Sequence, residues 1–348
     1  MADTTNIEWC DSTFNPWIGC TKVSPACDDC YAARSTPART LGVAWGPGQE
    51  RRRTAASTWG QVRTWQKHAD DFKYRHGRRR RVFCASLADW LDNEVPIQWM
   101  VDLLELVRST PDLDWLLLSK RIGNWSSRIS ECMGFLDEQT PAAYPLPLRR
   151  WLCQWLDGDE APRNVWIGST VVNQAEADRD VPKLLQIPAA VRFLSVEPML
   201  GPVDLDCIPW GGRRCSALRG WNTPASGIHW VICGGESGPK ARPMHPDWAR
   251  SLRDQCAAAG VPFLFKQWGE WAELDSHRQR TVSMDTDVGE TLASRCNGFI
   301  SLAGEFVRDM DDATTDDPYR GLVRIGKKAA GRLLDGRTHD EWPEVRRG

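Results

Sequence analysis

The run WLLLSKR, residues 115–121, decides how the rest of the chain reads. Four apolar residues lead into a serine and two cations. A short, continuously apolar run fits a strand buried on both faces, as in a parallel sheet. Its polar end marks the exit from that strand. The same form recurs at VFCAS (82–86), VWIGS (165–169), RFLSV (192–196), WVICG (230–234) and FLFK (263–266), and WIGC (17–20) is a candidate first strand. Helical spacing lies between these runs. Ile97, Met100, Val101, Leu104 and Val107 recur at three and four residues. Over 246–259, Pro246 opens a helix, Trp248, Leu252 and Cys256 form one stripe, and Gly260 stops it. Residues 146–156 and 175–187 are weaker helical patterns. Strands alternating with helices predict an α/β fold with a parallel sheet, as a (β/α) barrel or a doubly wound sheet.

The strand exits then matter. They read Ser86-Leu-Ala-Asp89, Ser119-Lys120-Arg121, Ser169-Thr170, Glu197-Pro198, Gly234-Gly235-Glu236-Ser237 and Lys266-Gln267-Trp268. Polar groups at successive C-terminal strand ends are how a barrel active site looks in sequence. The 348 residues suit one such domain over 1–348. A basic insertion interrupts it at about 51–81, and a C-terminal extension runs from about 270 to 348. The stretches 207–228 and 270–318 read as irregular.

Apolar residues make up 41 % of the chain, enough for a substantial core, and the net charge of −2 gives no global pull toward nucleic acid or membrane. No run has the length of a transmembrane helix, and the first residues lack a signal pattern, so the expected location is cytoplasmic with no membrane partner. That compartment argues against disulfides among the twelve cysteines. Cys84, Cys233 and Cys256 sit in apolar runs or stripes and read as buried small hydrophobes. The nineteen tryptophans read as packing. Six scattered histidines without an HxH or HExxH pattern speak against a metal-dependent hydrolase. His245, before Pro246, reads as a helix-entry residue.

The charge that is concentrated lies in 51–81, with eleven Lys or Arg and interleaved Trp59, Trp65, Phe72 and Tyr74. Arg78, Arg79, Arg80 and Arg81 could track phosphates while aromatics stack on bases. The plainer reading is a solvated patch, or one paired with the acidic run at 309–317.

The loop GCTKVSPACDDCYA (19–32) holds Cys20, Cys27 and Cys30 in a C-x6-C-x2-C pattern. Thiolates so spaced suit a metal in a reducing compartment. Zinc would need a fourth ligand, with Cys10 or Asp28 as candidates. An iron–sulfur cluster can use three cysteines and leave one iron open to chelate S-adenosylmethionine. Three unrelated thiols are the remaining reading.

Several segments carry a resemblance: IEWCDSTFNPWIGCTKVSPACDDCYA (7–32), VFCASLADW (82–90), LLLSKR (116–121), NVWIGST (164–170), FLSVEPMLGPVDL (193–205), VICGGESGPKARPMHPDWARSLRDQC (231–256), FKQWGEW (265–271) and GKKAAGRLLDGRTHDEWP (326–343). In these, and in order over most of its length, the chain resembles an uncharacterised phage and bacterial "three-Cys-motif" family. That family looks like a divergent branch of the radical S-adenosylmethionine enzymes. The resemblance implies a partial or irregular TIM-like barrel, a [4Fe–4S] cluster on Cys20, Cys27 and Cys30, S-adenosylmethionine as cofactor and an electron donor as partner. A 5′-deoxyadenosyl radical would abstract hydrogen from a substrate, and the phage context suggests a DNA or RNA base undergoing modification or repair. The competing class is a zinc-stabilised, non-enzymatic nucleic-acid-binding protein.

On the radical reading, the exits supply the cofactor site. Glycines 234 and 235 let backbone approach a ligand. Glu236, Glu197 or Asp89 accept from the ammonium or ribose, and Lys120 or Arg121 pair with the carboxylate. Ser86 and Ser169 share the rim, and Lys266 and Asp89 are the candidate catalytic groups. Lys120 and Arg121 could instead be a solvated strand end, Glu197 a turn cap, and Lys266 a lysine lying along Trp268. The pattern departs from the superfamily. Its common spacing is C-x3-C-x2-C, an aromatic usually precedes the last cysteine where Asp29 stands here, and its Gly-Gly-Glu usually follows the second strand, not the sixth.

Overall fold

The computed structural model describes residues 4–34, 39–139, 146–158, 160–220, 226–274 and 296–344. It divides into two compact units, one comprising Met1–Thr170, Pro182–Phe193 and Glu344–Gly348, the other Val171–Val181 and Leu194–Pro343.

In chain order the strands of the first unit are β1 (Ser12–Phe14), β2 (Trp17–Ile18), β3 (Arg52–Arg53), β4 (Arg80–Cys84), β5 (Leu113–Ser119) and β6 (Val165–Thr170). Strands β1, β4, β5 and β6 pair in that order, all parallel. Ser12 lies opposite Val82, Val82 opposite Trp115, and Ser119 opposite Ser169. The run that opened the analysis is thus an inner strand, and Leu113, Trp115, Leu116 and Leu117 are fully buried in it. The first strand of the sheet is Ser12–Phe14, five residues before the expected WIGC, and Trp17–Ile18 pairs antiparallel with Arg52–Arg53 instead.

Helices fill the crossovers. Ala56–Lys67 and Ala69–His76 connect β1 to β4, Ile97–Arg108 connects β4 to β5, and Trp125–Glu138 and Leu146–Asp157 connect β5 to β6. The segment 51–81 is therefore mostly the first crossover. Trp59, Val62 and Trp65 form the buried stripe of its helix, and Phe14 of β1 meets Trp59 edge-on at 5.3 Å. In Ile97–Arg108 six apolar side chains are buried, each worth about 1.5–3 kcal/mol at most.

Strand β7 (Val191–Val196) spans the division between the units. The second unit adds β8 (Ile208–Trp210), β9 (Arg213–Cys215), β10 (Trp230–Gly234), β11 (Phe263–Gln267), β12 (Trp271–Glu273), β13 (Gly298–Ser301), β14 (Phe306–Val307) and β15 (Tyr319–Arg324). Strands β10 and β11 are parallel and joined by the helix Pro246–Ala259. That helix has the predicted ends. His245 Nδ1 accepts from the Asp247 N–H at 3.1 Å, Pro246 is the first residue, and Gly260 closes it at φ +67°. The parallel order is β1-β4-β5-β6-β7-β10-β11. An α/β fold with a parallel sheet is what the alternation predicted, and seven strands agree with a partial rather than a complete eight-stranded barrel.

Two stretches read as irregular contain structure. Residues 208–215 form the hairpin β8–β9 around Gly211 and Gly212, both at positive φ as a primed turn requires. Strands β12, β15, β13 and β14 form an antiparallel sheet. Twelve tryptophans are buried among the described residues, as are Cys84, Cys233 and Cys256, and the twelve cysteines are free thiols. Among the described residues no helix is long and apolar enough to cross a membrane.

Candidate functional site: the cysteine loop and its anchors

The cysteine loop belongs to the first unit and follows β2. Ser24 caps a short 3-10 turn, Pro25–Cys27, by accepting the Ala26 N–H at 3.1 Å. The turn orders the stretch between Cys20 and Cys27. Cys27 is buried, and Cys20 and Cys30 are partly exposed.

Arg121 ties the loop to the strand ends. Its Nη1 donates to Cys20 Sγ at 3.3 Å and to Asp89 Oδ2 at 3.1 Å, and its Nη2 donates to the Thr21 carbonyl. Asp89 is saturated. Oδ1 accepts from Ser119 Oγ at 2.7 Å and the Leu91 N–H at 2.9 Å, and Oδ2 also takes the Lys120 N–H at 2.9 Å. The Ser119 hydroxyl in turn accepts the Arg121 N–H at 2.8 Å. Both charged side chains are less than a tenth exposed. So Asp89, Ser119 and Arg121, from the exits of β4 and β5, form one buried network that ends on a cysteine sulfur. Burial and the nearby Asp89 charge push the Cys20 thiol up to about 12, against the pull of Arg121. In the absence of metal, Cys20 is protonated at neutral pH.

Three further contacts hold the loop. Arg51, fully buried, donates to Asp92 Oδ2 at 2.8 Å, Thr21 Oγ1 at 2.7 Å, and the carbonyls of Gln49 and Gly46 at 2.6 and 3.2 Å. The Gly46 N–H returns to the Cys20 carbonyl at 3.1 Å. Tyr31, next to Cys30, donates its hydroxyl to the Ser86 carbonyl at 2.9 Å, while the Ser86 hydroxyl pairs with Asn15 at 3.0 Å. Gly19 enters the loop at φ +110°, a conformation L side chains rarely adopt, and a Cβ there would press on Val43 and Arg51 at 3.1 and 3.3 Å. Arg51, Asp92, Asn15 and the docking of Tyr31 escaped the sequence reading. Their partners lie tens of residues away, and nothing local marks them.

Among the described residues no three Cys, His, Asp or Glu side chains converge as metal ligands do. The loop therefore offers the donor set of a thiolate site, on one segment and moored to strand ends, without a preformed cage. This applies equally to a zinc site completed by Cys10 or Asp28. Binding of metal would have to draw the thiols together, the usual coupling of metal binding to local folding.

Ser169 and Thr170 end β6 with fully buried hydroxyls that have no partner. Because Ser169 lies opposite Ser119 in a parallel ladder, both side chains point to the same face of the sheet. An unpaired buried hydroxyl there suits a ligand group or a water.

Glu197, Gly234, Gly235, Glu236 and Lys266 lie in the second unit. Lys266 Nζ pairs with Glu197 Oε1 at 3.0 Å, both largely buried. Glu236 holds Arg242 with both oxygens, at 2.6 and 2.8 Å, and also accepts the Arg242 N–H at 2.8 Å. A Cβ on Gly235 would stand 1.9 Å from the Trp268 carbonyl oxygen, and one on Gly234 2.7 Å from Glu197 Oε1. Close packing of the β10 and β11 exits thus explains Gly235 without a ligand, while Gly234 makes room for the Glu197 side chain after β7.

The arginine run at β4 is engaged within the first unit. Arg78 forms a bidentate pair with Asp11 at 2.6 and 2.7 Å, and Arg79 donates to the Pro111 carbonyl at 2.7 Å. Arg80 bonds Ser12 at 2.8 Å and lies over Phe72, and Arg81 lies over Trp166.

The comparisons can be set beside this geometry. A family model described as "Protein of unknown function (DUF5131)" matches residues 4–343. No curated protein matches. A solved structure of a spore photoproduct lyase variant with bound AdoMet and a dinucleoside spore photoproduct aligns over 93 % of this chain and 71 % of its own, at 10 % identity and a TM-score of 0.38. That score is too low for the likeness to bear on fold or chemistry.

Proposed function

We propose that this chain, which belongs to the DUF5131 family, is a radical S-adenosylmethionine enzyme whose cluster is held by Cys20, Cys27 and Cys30. The observation that carries the reading is the mooring of Cys20. A guanidinium from the β5 exit donates to its sulfur, and the Asp89 carboxylate holds that guanidinium in place. A sulfur donor fixed at C-terminal strand ends stands where α/β catalytic sites form, and the Arg121 cation partly offsets the burial and the Asp89 charge that disfavour its thiolate.

When bound, a [4Fe–4S] cluster with an open iron supplies one-electron cleavage of S-adenosylmethionine to a 5′-deoxyadenosyl radical. The chain's own part is to hold the loop, orient the cofactor and keep water out. The saturated Asp89 positions Arg121 rather than accepting from a ligand. Ser169, with an unpaired buried hydroxyl on the face it shares with Ser119, is the group of the first unit best placed to bind the cofactor. An electron donor is the partner this chemistry demands. The arginines 78–81 are committed to internal contacts and add nothing in favour of a nucleic-acid substrate.

The test is metal and sulfide analysis with an absorption spectrum of protein purified without oxygen, wild type beside Cys27→Ala. Iron with acid-labile sulfide, lost in the variant, is expected. A colourless protein holding one zinc would refute the radical reading and favour the zinc-stabilised binding protein.

A further inference from the structure

The strand-entry end of the first unit holds a cavity that the cysteine loop does not use. Its volume is about 340 Å³, at the lower end of the roughly 300–1,000 Å³ of small-ligand sites. Arg79 stands on its wall just before β4, and Asn164 just before β6. Arg108 ends the helix Ile97–Arg108, Trp151 lies on the helix Leu146–Asp157, and Glu160 and Arg163 follow that helix. Asp89 and Arg121, which moor the cysteine loop, follow the opposite ends of β4 and β5. Strand β5 is seven residues long, so about 20 Å of strand lies between the two places.

The wall carries three guanidiniums and one carboxylate. The carboxylates that pair with two of these arginines stand off the wall. Glu105 holds Arg108 Nε and Nη2 at 2.7 Å each, and Asp112 Oδ1 lies 3.7 Å from Arg79 Nη2. Glu105 thus fixes the plane of the Arg108 guanidinium, whose Nη1 makes no hydrogen bond among the described residues. Arg79 is held at the wall by the Pro111 carbonyl at 2.7 Å. Asn164 is only 6 % exposed. Its Nδ2 donates to the Val107 and Thr110 carbonyls at 3.0 and 3.2 Å, and its Oδ1 accepts from none of the described residues. Buried amide oxygens are ordinarily bonded, so this one calls for a donor from inside the cavity. Trp151 packs against Trp155 at 5.2 Å and is half-buried, which leaves part of its indole open.

We infer that this cavity binds a nucleoside monophosphate. A phosphate dianion suits a guanidinium preset by a carboxylate, Arg108, with a second, Arg163, on the same wall. A base offers a flat face to Trp151 and an edge N–H to Asn164 Oδ1. Ribose hydroxyls donate to the Glu160 carboxylate. Inorganic phosphate alone would leave Trp151, Asn164 and Glu160 unused. The site needs no metal and is independent of the cysteine loop.

The experiment is calorimetry of the full chain with AMP, GMP, CMP and UMP in turn, and with inorganic phosphate and the matching nucleoside as half-ligands. At least one mononucleotide should bind, one per chain, with each half-ligand weaker. Arg108→Gln and Arg163→Gln should each weaken it about tenfold to a hundredfold, the loss of one hydrogen bond to a charged group. Trp151→Leu should weaken the nucleoside and the mononucleotide and leave phosphate unchanged. Arg75→Gln, at an exposed arginine off the cavity wall, should change nothing. If Arg108→Gln fails to fold, Arg163→Gln, at an exposed position, carries the test. No binding of any of the four at millimolar concentration would overturn the site, as would equal affinity in wild type and the arginine variants. Phosphate bound as tightly as the mononucleotide would overturn the assignment of its ligand.

Discussion

Removing Arg51 should loosen the cysteine loop far more than removing Arg51 and Asp92 together. Both side chains of this pair are fully buried. Arg51→Met leaves the Asp92 carboxylate without its cation and strips donors from Thr21 Oγ1 and the Gln49 and Gly46 carbonyls. Breaking one side of a buried ion pair costs about 3–5 kcal/mol, whereas replacing both partners with apolar groups is often close to neutral. Asp92→Leu should cost less than Arg51→Met, because Glu94 Oε2, 3.3 Å from Arg51 Nη2, still faces the guanidinium. Some hydrogen bonds stay lost in the double variant, at about 1 kcal/mol each before solvent substitutes. The double should therefore cost about 1–2 kcal/mol, less than Arg51→Met alone.

A global denaturation curve suits this poorly, since a chain of two units need not unfold in one step. Hydrogen exchange gives a local readout. The Gly19 N–H bonds to the Leu87 carbonyl and the Gly46 N–H to the Cys20 carbonyl, so both report on loop attachment. At 1.4 kcal/mol per decade, Arg51→Met should speed their exchange between roughly a hundredfold and several thousandfold, and the double by only about tenfold. A double variant as fast as the product of the singles would mean the two residues act independently, and the mooring described above would be wrong.

Three other outcomes follow from the same contacts. Burial raises the Asp11 carboxyl, but the bidentate Arg78 bond, the Arg81 N–H and their charges outweigh it and hold Asp11 below its usual 3.8. The stability this adds is present above pH 3.8 and is lost as pH falls through the lower folded value. The stability gap between wild type and Asp11→Asn should then narrow on acidification from about pH 5 to 2, and a constant gap would remove Asp11 from the acid response. Gly235→Ala should lower the melting temperature through at least about 1–3 kcal/mol of overpacking against the Trp268 carbonyl. Gly134→Ala, mid-helix with open space around it, should raise it through about 0.5–1 kcal/mol, and the opposite order would contradict the packing described. Glu236→Gln should leave S-adenosylmethionine affinity of loaded protein unchanged in calorimetry, because Arg242 already occupies that carboxylate; lost binding would return Glu236 to the cofactor site.

The sheet was legible because inner parallel strands leave an unambiguous mark. WVICG is strand β10 to the residue, and Pro246 and Gly260 delimit their helix because the first turn has no use for the N–H that proline lacks, and Gly260 takes a left-handed φ that ends the helix. The helices Ala56–Lys67 and Ala69–His76 were hidden for the opposite reason. Their buried stripe is three residues, Trp59, Val62 and Trp65, set among charges that suggest a binding surface. Trp125–Glu138 carries no capping side chain to announce its start. The strands β12 to β15 are two to six residues long, too short for alternation to stand out. At the site, the C-x6-C-x2-C spacing is local and therefore readable, and the strand exits named Asp89 and Arg121. Their roles were not readable, since a saturated carboxylate and a committed guanidinium look the same in sequence as free ones.

The fate of the basic residues links fold to function. In sequence, 51–81 looks like a cationic patch awaiting phosphates. In the structure Arg78 holds Asp11 at the entry to β1, Arg80 covers Phe72 of the crossover helix, and Arg51 is buried beneath the cysteine loop. Buried ion pairs add little net stability compared with apolar packing, because desolvation cancels most of the attraction. What a satisfied pair does well is penalise every alternative arrangement, since any misplacement strands a charge away from water. Two such pairs, Arg51–Asp92 and Arg121–Asp89, converge on Thr21 and Cys20. A loop meant only to be solvated would not require two buried arginines. On the proposed cluster reading, a loop that presents thiols at one place before metal gathers them does, because the ordering already accomplished is no longer subtracted from the affinity for the metal.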